Sequence, residues 1–254
     1  MDGTQFHYTV YLEKKFAGKL KEKLKIRYYT IYMAKTTPLQ VEYINDDYIE
    51  VGIDEAGRGP MFGRVYAAAV VLPKDDTYKH KDMKDSKRFH SEKKINAVAE
   101  YIKENAVAWA VGYSEASEID EYNIRIATHK AMHKAIEQVM DKIALNYGNT
   151  HLLVDGNDFT PIMRMHEGMF VPIRYTTIEQ GDNKVTNIAA ASILAKVERD
   201  KYISAICQEN PILDERYGLL KNKGYGTAQH MQGIKDHGIS EFHRKTFGIC
   251  RQYA

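Results

Sequence analysis

Two adjacent carboxylates followed by a glycine-rich turn are the strongest chemical signal in this chain of 254 residues. The stretch DEAGRG, from Asp54 to Gly59, follows the apolar, strand-forming run YIEVGI. Glycines on both sides of Arg58 allow backbone conformations that are closed to other residues, and they let the main chain approach a ligand closely. Arginine supplies donors that suit phosphate. The stretch therefore indicates a site that combines acidic groups with close backbone contact.

Two further acidic residues lie at predicted strand ends. Asp155 ends the run HLLVD and Asp182 follows IEQG, so three segments can bring four carboxylates to one edge of a sheet. Four carboxylates in one place repel one another, and without a cation at least one of them would take up a proton. Two Mg²⁺ ions, roughly 3.5–4 Å apart and held by few carboxylates, would remove this repulsion, as in nucleases and polymerases.

The simplest alternative is that each of these acids is only a turn residue, which is the usual role of a single aspartate before glycine. The pair formed by Asp54 and Glu55 argues against that alternative, because the end of a strand requires neither carboxylate. Adjacent strand residues point to opposite faces. We therefore expect the strand to end between these two residues, so that both carboxylates face one site.

From Tyr48 onward the hydrophobic pattern alternates between strands and helices. The predicted strands are 48–54, 65–72, 106–114, 151–155 and 173–180, and the predicted helices are 91–104, 117–141, 186–206 and 228–238. The first three strands follow one another through short connections, whereas helices separate the later ones. This order predicts a mixed sheet flanked by helices rather than a purely parallel sheet.

The predicted helix 186–206 carries both small and basic residues. Its small-residue run, AAAS at 189–192, would let the helix pack close to the sheet. Lys196 and Arg199 lie three positions apart on the same helix. We expect them at the solvated surface, and contact of one of them with phosphate is the alternative. Lys87 and Lys184 are further candidates for contact with phosphate.

Composition and charge narrow the class of protein. The 36 Lys and Arg residues barely exceed the 34 Asp and Glu residues, so no overall field attracts nucleic acid. No apolar run approaches the roughly 18 residues of a membrane span, and the N-terminus lacks a secretory pattern. Cys207 and Cys250 lack metal-ligand spacing. We expect a cytoplasmic protein with no membrane partner and no disulfide framework.

Residues 1–47 are predicted to form a small basic N-terminal extension of uncertain function, followed by one domain over 48–254. Within 13–27, seven basic residues face two acidic ones, and apolar residues recur at every fourth position. This pattern is typical of a helix with one apolar stripe. Docking of that helix on the main domain is the favoured interpretation, and binding of nucleic acid is the alternative.

Seen together, the motifs of this chain resemble type 2 ribonuclease H, the ribonuclease HII family. In family order, over about residues 49–248, they are GIDEAGRGP, DSK at Asp85 to Lys87, LLVDGN, GDNKVTNIAAASILAKVERD, NKGYGTAQH and FHRKTFG. The resemblance implies an RNase H-like α/β fold, with a five-stranded mixed sheet flanked by helices and a helical C-terminal part. It also implies an endonuclease that hydrolyses the RNA strand of RNA/DNA hybrids. Such an enzyme would also cut on the 5′ side of ribonucleotides embedded in duplex DNA, leaving 3′-hydroxyl and 5′-phosphate ends.

The resemblance assigns roles residue by residue. The catalytic, metal-binding carboxylates would be Asp54, Glu55, Asp155 and Asp182, and they imply two ions of Mg²⁺ or Mn²⁺. Main-chain groups of Gly57, Arg58 and Gly59 would contact the 2′-hydroxyl that only RNA carries, and Tyr225 would pack on a deoxyribose. The implied partner is an RNA/DNA hybrid or ribonucleotide-containing duplex, bound by a monomer, and the tail GICRQYA shows no sliding-clamp motif. His230, His237 and His243 lack metal-site spacing and are assigned no catalytic role.

Departures from the family pattern bear on these assignments. Gln180 stands where the family usually has a lysine, and the loop after Lys87 is one residue longer than usual. Type 3 relatives carry Glu as the fourth acid, so Asp182 favours type 2. Two other functions remain as alternatives: a protein that binds hybrids without cutting them, and a nuclease or integrase that shares only the metal-bearing fold. The four acids disfavour the first, and the GRG and tyrosine motifs disfavour the second.

Overall fold

The computed structural model describes residues 38–145 and 148–254. The basic cluster at 13–27 and most of the predicted extension 1–47 lie outside the described residues, so the predictions for them stay predictions. Within the two described ranges, no helix is both long and apolar enough to cross a bilayer.

Five strands form the mixed sheet that the sequence predicts. In chain order, the strands in the described residues are β1 (Ile49–Ala56), β2 (Val65–Val71), β3 (Ala108–Ser114), β4 (Thr150–Asp155), β5 (Met163–His166), β6 (Met169–Pro172) and β7 (Arg174–Ile178). The sheet order is β3-β2-β1-β4-β7. β2 pairs antiparallel with β1 and β3, and β4 pairs parallel with β1 and β7. β5 and β6 form a separate hairpin that was not predicted.

The described part of the chain contains seven α-helices. They are α1 (Glu92–Asn105), α2 (Ala116–Tyr122), α3 (Ile124–Lys142), α4 (Thr186–Glu209), α5 (Ile212–Tyr217), α6 (Leu219–Asn222) and α7 (Ala228–His237). The single helix predicted at 117–141 is wrong, because Asn123 has a positive φ of 72° that interrupts it. The Asn123 side chain accepts from the amide of Ile126 at 3.1 Å and caps the start of α3.

The sheet has an apolar core on each face. α3 covers one face, where Ala131, Ala135 and Ile136 pack against strand residues such as Val51 and Ile53. α1 and α4 cover the other face, where they enclose alternate residues of β2. Both helical layers are thus held by apolar burial, and the strand ends that carry the acidic residues lie at the edge between them.

The start of α4 lies unusually close to β1. A Cβ atom at Gly52 would overlap the main chain of Asn187 and Ile188, so only glycine permits this approach. The Asn187 side chain donates to the carbonyl of Glu50 at 3.0 Å. The small-residue run at 189–192 is buried, which confirms that it lets α4 pack close to the sheet. The helix is thereby held beside the acidic end of β1.

A third apolar cluster forms the helical C-terminal part. It joins the second half of α4 to α5, α7 and the segment that follows the GRG turn, through residues such as Phe62, Ile203 and Tyr217. Main-chain hydrogen bonds reinforce it: the amide of Met61 donates to the carbonyl of Gly224 at 2.9 Å. The GRG turn is therefore connected directly to the C-terminal part.

Residues that precede β1 also contact the sheet region. Gln40 exchanges main-chain hydrogen bonds with Lys184 and Thr186, at 2.7 and 2.9 Å. Asp46 accepts from the guanidinium of Arg174 in β7 at 2.7 Å. A truncation that removes the basic cluster should therefore end before Gln40, so that these contacts are kept.

Candidate active site

A cleft of about 430 Å³ lies at the edge of the sheet, between the ends of the strands and the C-terminal part. Eight of the residues that line it are the predicted site residues: Asp54, Glu55, Gly57, Arg58, Gly59, Asp155, Asp182 and Tyr225. They come from four separate segments of the chain, so only the tertiary fold brings them together. Their roles stay predictions, but their common location meets the first requirement for one site.

The first two carboxylates reach the cleft in a way that differs from expectation. β1 does not end between Asp54 and Glu55, because its pairing with β2 continues to Ala56. On its other edge, the pairing with β4 ends at Ile53. β1 therefore extends beyond the end of its pairing with β4 while it is still paired with β2. The two acids leave the strand on opposite faces, and the cleft reaches both of them.

Burial and mutual repulsion raise the pKa of both carboxyl groups, so their charged forms are disfavoured without a cation. Asp54 is 5% exposed, and burial, followed by the charges of Glu55 and Asp155, holds the pKa of Asp54 well above its usual range. Burial also raises the pKa of Glu55; Arg58 opposes this shift and Asp155 adds to it. A cation bound between these acidic groups would reduce their repulsion, so their proximity indicates a cation site.

A hydrogen bond connects the carboxylate of Asp155 to the short turn that carries Asp182. The carboxylate of Asp155, at the end of β4, accepts from the amide of Gly181 at 2.6 Å. Asp182 follows in a 3-10 turn, Gly181–Asn183. Burial, together with the charges of Asp85 and Asp155, raises the pKa of Asp182 to about 6. Asp85 belongs to the DSK motif, and its role beside the acids was not predicted.

The donor set fits a hard divalent cation. All four groups are carboxylates, the ligand type that Mg²⁺ and Mn²⁺ prefer. In residues 38–145 and 148–254, no three side chains of His, Cys, Asp or Glu converge on one point closely enough to hold an ion by themselves. Mg²⁺ needs only one or two carboxylates, because water and substrate phosphate complete its coordination. The arrangement therefore suits ions that are shared between protein and substrate.

The GRG turn depends on a buried arginine beneath it. Gly57 has a positive φ of 93°, and a Cβ atom there would overlap Nε and Cδ of Arg199. Arg199 is 2% exposed, so the expectation that it lies at the solvated surface is wrong. Its guanidinium donates to the carbonyl of Lys223 at 2.9 Å. Arg199 thus links the GRG turn to the loop that carries Tyr225.

Arg244 holds the same turn from the C-terminal side and was not predicted as a site residue. It is 0% exposed and donates to five main-chain carbonyls, those of Gly57, Arg58, Pro60, Gly63 and Arg64, at 2.7–3.0 Å. A guanidinium has five N–H donors, so its full capacity is used. The one available signal was its place in the motif FHRKTFG.

Tyr225 lies in the cleft beside the GRG turn. Its side chain is 51% exposed, and a Cβ atom added to Gly59 would lie 3.4 Å from its ring. The ring is therefore next to the GRG turn and open to the cleft. This placement is compatible with packing against a sugar, and the role itself stays a prediction.

Basic side chains surround the acidic centre. Lys87, Lys196, Lys221 and Lys223 line the cleft, which provides positive charge for a phosphate backbone. Lys196 is half-buried and forms an ion pair with Asp200. Lys184, the other lysine proposed for phosphate contact, is not among the lining residues described. Gln180, with a positive φ of 54°, is exposed at the turn before Asp182.

We expect Gly57→Ala to destabilise the protein more than Gly156→Ala. Both glycines have a positive φ, 93° and 96°, so alanine strains the backbone similarly at each. Only at Gly57 would the new methyl group also displace Arg199, because no atom lies within 4 Å of the added Cβ at Gly156. Urea unfolding should show an extra loss of about 1–3 kcal/mol for Gly57→Ala. Equal losses would contradict the packing of Arg199 beneath the turn.

The sequence is similar to those of known proteins over most of its length. The family model for ribonuclease HII matches residues 51–250. Ribonuclease HII of Parabacteroides distasonis is 46% identical over 207 residues, which cover 82% of this chain and 94% of the relative. The chain belongs to the ribonuclease HII family. Ribonuclease HII of Neisseria gonorrhoeae is 41% identical over 203 residues, covering 80% of this chain and 94% of that protein.

Solved structures share the fold at lower sequence identity. Ribonuclease H2 of Pyrococcus horikoshii superimposes with a TM-score of 0.61 and 21% identity, covering 80% of this chain and 96% of the other. A complex of PCNA with ribonuclease HII of Archaeoglobus fulgidus gives a TM-score of 0.58 and 22% identity, covering 79% and 95%. The expected RNase H-like fold is confirmed.

Family membership establishes the general activity. Ribonuclease HII enzymes are divalent-metal-dependent endonucleases that hydrolyse the RNA strand of RNA/DNA hybrids, and this chain is a hydrolase of that kind. The acidic cleft is the part of the structure that suits such chemistry, because it combines carboxylates for metal with lysines for phosphate.

Proposed function

We propose that this ribonuclease HII also cuts duplex DNA on the 5′ side of an embedded ribonucleotide, with two divalent ions held by Asp54, Glu55, Asp155 and Asp182. The observation that supports the proposal is the single cleft in which these acids meet the GRG turn and Tyr225. All of these residues come from one chain, so the proposed site needs no second copy. We propose that the enzyme acts as a monomer.

The carboxylates carry the chemistry by holding positive charge against the scissile phosphate. When bound, Mg²⁺ or Mn²⁺ would lower the pKa of an attacking water and stabilise the charge that develops on the leaving oxygen. A Mn²⁺ complex is known for Bst-RNase HIII, which shares the fold with a TM-score of 0.53 and 17% identity. The raised pKa values of Asp54 and Glu55 support the same role, because a cation would relieve their repulsion.

The GRG turn is proposed to recognise the ribonucleotide. The Arg58 side chain is exposed and lies 3.5 Å from the carboxylate of Glu55, so the turn begins directly beside the acids. Arg244 donates hydrogen bonds to the carbonyl groups of Gly57 and Arg58, and these bonds fix the main chain of the GRG turn. Main-chain groups fixed in this way can contact a 2′-hydroxyl, and that group distinguishes RNA from DNA at a given position.

Tyr225 is proposed to recognise the sugar on the 3′ side of the cut ribonucleotide. A flat ring can pack against a deoxyribose, whereas a 2′-hydroxyl at that sugar would obstruct the contact. The ring lies beside Gly59, so the two recognition elements are neighbours. The GRG turn would require a ribose and Tyr225 would prefer a deoxyribose. Together they would select an RNA–DNA junction.

We expect cleavage of a labelled DNA duplex that contains one ribonucleotide, with a single cut on its 5′ side in Mg²⁺ or Mn²⁺ and no cut in chelator. The physical reason is that the carboxylates need a cation before they can approach phosphate. Product mapping at nucleotide resolution, beside a long RNA/DNA hybrid and an all-DNA duplex, provides the measurement and its controls.

Each possible result of this experiment tests a different part of the proposal. Cleavage of the long hybrid alone would contradict junction recognition by Tyr225 and leave the carboxylate site in place. Cleavage in chelator would contradict the role of metal. A cut on the 3′ side of the ribonucleotide would contradict the position given to the GRG turn.

A further inference from the structure

Two buried histidines connect the C-terminal segment to the backbone of Tyr225. His230, in α7, and His243 are 0% and 1% exposed, respectively. Their Nε2 atoms lie 3.0 Å apart. Nδ1 of His230 lies 3.0 Å from the carbonyl oxygen of Tyr225, and Nδ1 of His243 lies 2.9 Å from the main-chain nitrogen of Ser240. The rings thus form a continuous hydrogen-bonded chain from Ser240 to Tyr225.

The partners at the two ends decide where the protons lie. A carbonyl oxygen only accepts, so Nδ1 of His230 must donate to Tyr225. Nε2 of a neutral His230 is then an acceptor, which makes Nε2 of His243 the donor between the rings. Nδ1 of His243 is left as an acceptor, as its contact with the Ser240 amide requires. All four ring nitrogens are satisfied with both rings neutral, and every hydrogen bond points toward Tyr225.

The surroundings keep both imidazoles in this state. The ring of Tyr217 packs against His230 and His243 with centroids 5.8 and 4.7 Å apart, and Phe62 packs edge-on against His243 at 5.1 Å. Burial lowers the pKa of both histidines, and with the added effect of His230 the pKa of His243 falls to about 3. A buried network of this kind stabilises strongly only while every member is paired.

The network ends on the residue whose orientation matters most for junction recognition. The amide of Tyr225 donates to the carbonyl of Asn222 at 3.0 Å, and its carbonyl also accepts from the amide of Thr227 at 2.8 Å. Both main-chain groups of Tyr225 are therefore held, whereas its ring is half-exposed in the cleft. The orientation of the ring is determined by the main chain on which it stands.

We propose that His230 and His243 are positioning residues that aim the ring of Tyr225 and thereby set the preference for single ribonucleotides in DNA over long hybrids. The proposal rests on the proposed role of Tyr225. A misplaced ring would lose its packing on a deoxyribose, which only the junction substrate offers at that position. The loss should therefore fall mainly on the junction substrate, since misplacement by about 1 Å can cost up to about 10²-fold in rate.

A matched pair of variants separates positioning from general stability. In His230→Asn, the side-chain amide can occupy the place of Nδ1 and still donate to Tyr225, but it no longer reaches His243. In His230→Gln, the amide reaches His243 and gives up the bond to Tyr225. Each variant breaks one bond of the chain, so a purely structural role predicts similar effects for both.

The measurement is kcat/KM on a duplex with one ribonucleotide, divided by kcat/KM on a long RNA/DNA hybrid. We expect His230→Gln to lower this ratio by roughly tenfold and His230→Asn to keep it within about twofold of the wild-type value. An unchanged ratio in His230→Gln, or an equal fall in both variants, would overturn the proposal.

Tyr225→Ala separates this proposal from the proposed function. If it lowers the ratio and His230→Gln does not, only the positioning role is wrong. If Tyr225→Ala leaves the ratio unchanged, the junction role of Tyr225 fails and the positioning role fails with it.

Nitrogen-15 NMR of the wild-type imidazoles gives a test that does not depend on the folding of variants. At neutral pH we expect His230 to carry its proton on Nδ1 and His243 to carry its proton on Nε2. A charged ring, or the opposite tautomer at His230, would overturn the directed chain.

Discussion

Asp54→Asn and Asp155→Asn are each expected to reduce cleavage of RNA/DNA hybrid by at least about 10³-fold, because each removes a charge that we propose to hold metal against the scissile phosphate. Metal in such sites supplies several kcal/mol of transition-state stabilisation, and about 1.36 kcal/mol corresponds to a factor of ten in rate. Single-turnover cleavage in Mg²⁺ provides the measurement, since it reports the chemical step without product release.

The folded state should tolerate the loss of the Asp54 carboxylate well. The pKa of this carboxyl is raised in the folded protein by burial, then by Glu55 and Asp155, so its contribution to stability is present at acid pH and is lost as the pH rises through that pKa. At neutral pH without metal, the charged form opposes folding. Asp54→Asn removes that charge, so its thermal midpoint in chelator should equal or exceed that of the wild type.

Asp158→Asn is the matched control for both variants. Asp158 follows Asp155 by three residues, but it forms a half-exposed ion pair with Arg125 at 2.6 Å instead of lining the cleft. A surface pair of this kind contributes about 0–1 kcal/mol, so this variant should cleave at nearly the wild-type rate. Wild-type cleavage by Asp54→Asn or Asp155→Asn would remove that residue from the mechanism.

Arg244→Lys is expected to lower the free energy of unfolding by about 3–5 kcal/mol, although it keeps the positive charge. Lysine has three donors on one atom, whereas Arg244 spreads five donors over carbonyls from Gly57 to Arg64. A buried carbonyl that loses its donor is left without a hydrogen bond, which destabilises the folded state. Urea unfolding of the full chain provides the measurement, and hybrid cleavage should fall as well, because the GRG turn loses its support.

Arg251→Lys supplies the same chemical change at an exposed site. Arg251 donates from Nε to the carbonyl of Thr246 and is exposed. This control should change stability by no more than about 0.5 kcal/mol. If Arg244→Lys unfolds at the same urea concentration as the control, the five hydrogen bonds do not hold the turn as the structure indicates.

The charge of Arg244 is retained despite its burial. Burial, and then the charge of Arg199, lowers the pKa of Arg244 to about 9, which leaves it protonated at neutral pH. A methionine could fill the space of this side chain but could satisfy none of the five carbonyls. Arg244→Met should therefore destabilise the protein more than Arg244→Lys, which separates hydrogen bonding from packing.

Local patterns in the sequence predict most elements and the main site residues. Hydrophobic periodicity predicts the five strands of the sheet, because each alternates or runs apolar between turn residues. The acids at strand ends and the GRG turn identify the candidate residues, because neither feature is needed to end a strand. The motif order resembles ribonuclease HII, and the family comparison confirms it.

Other features depend on contacts between distant parts of the chain. The break at Asn123 was missed because the apolar pattern continues across it, whereas its positive φ appears only in three dimensions. The hairpin of β5 and β6 was missed because each of its strands has only four residues, too few for a periodic pattern to stand out, and its methionines and Phe170 are exposed. Composition alone carries no signal for either feature.

The sequence by itself determined which residues hold charge and which glycines bend the chain, because side-chain chemistry and backbone freedom are local properties. The tertiary structure decided what surrounds them. Arg199 was expected at the surface and no prediction was made for Arg244, yet the fold buries both beneath the GRG turn, where main-chain carbonyls replace water. Burial and pairing depend on the whole packed chain, and for that reason only the structure shows how the site is held.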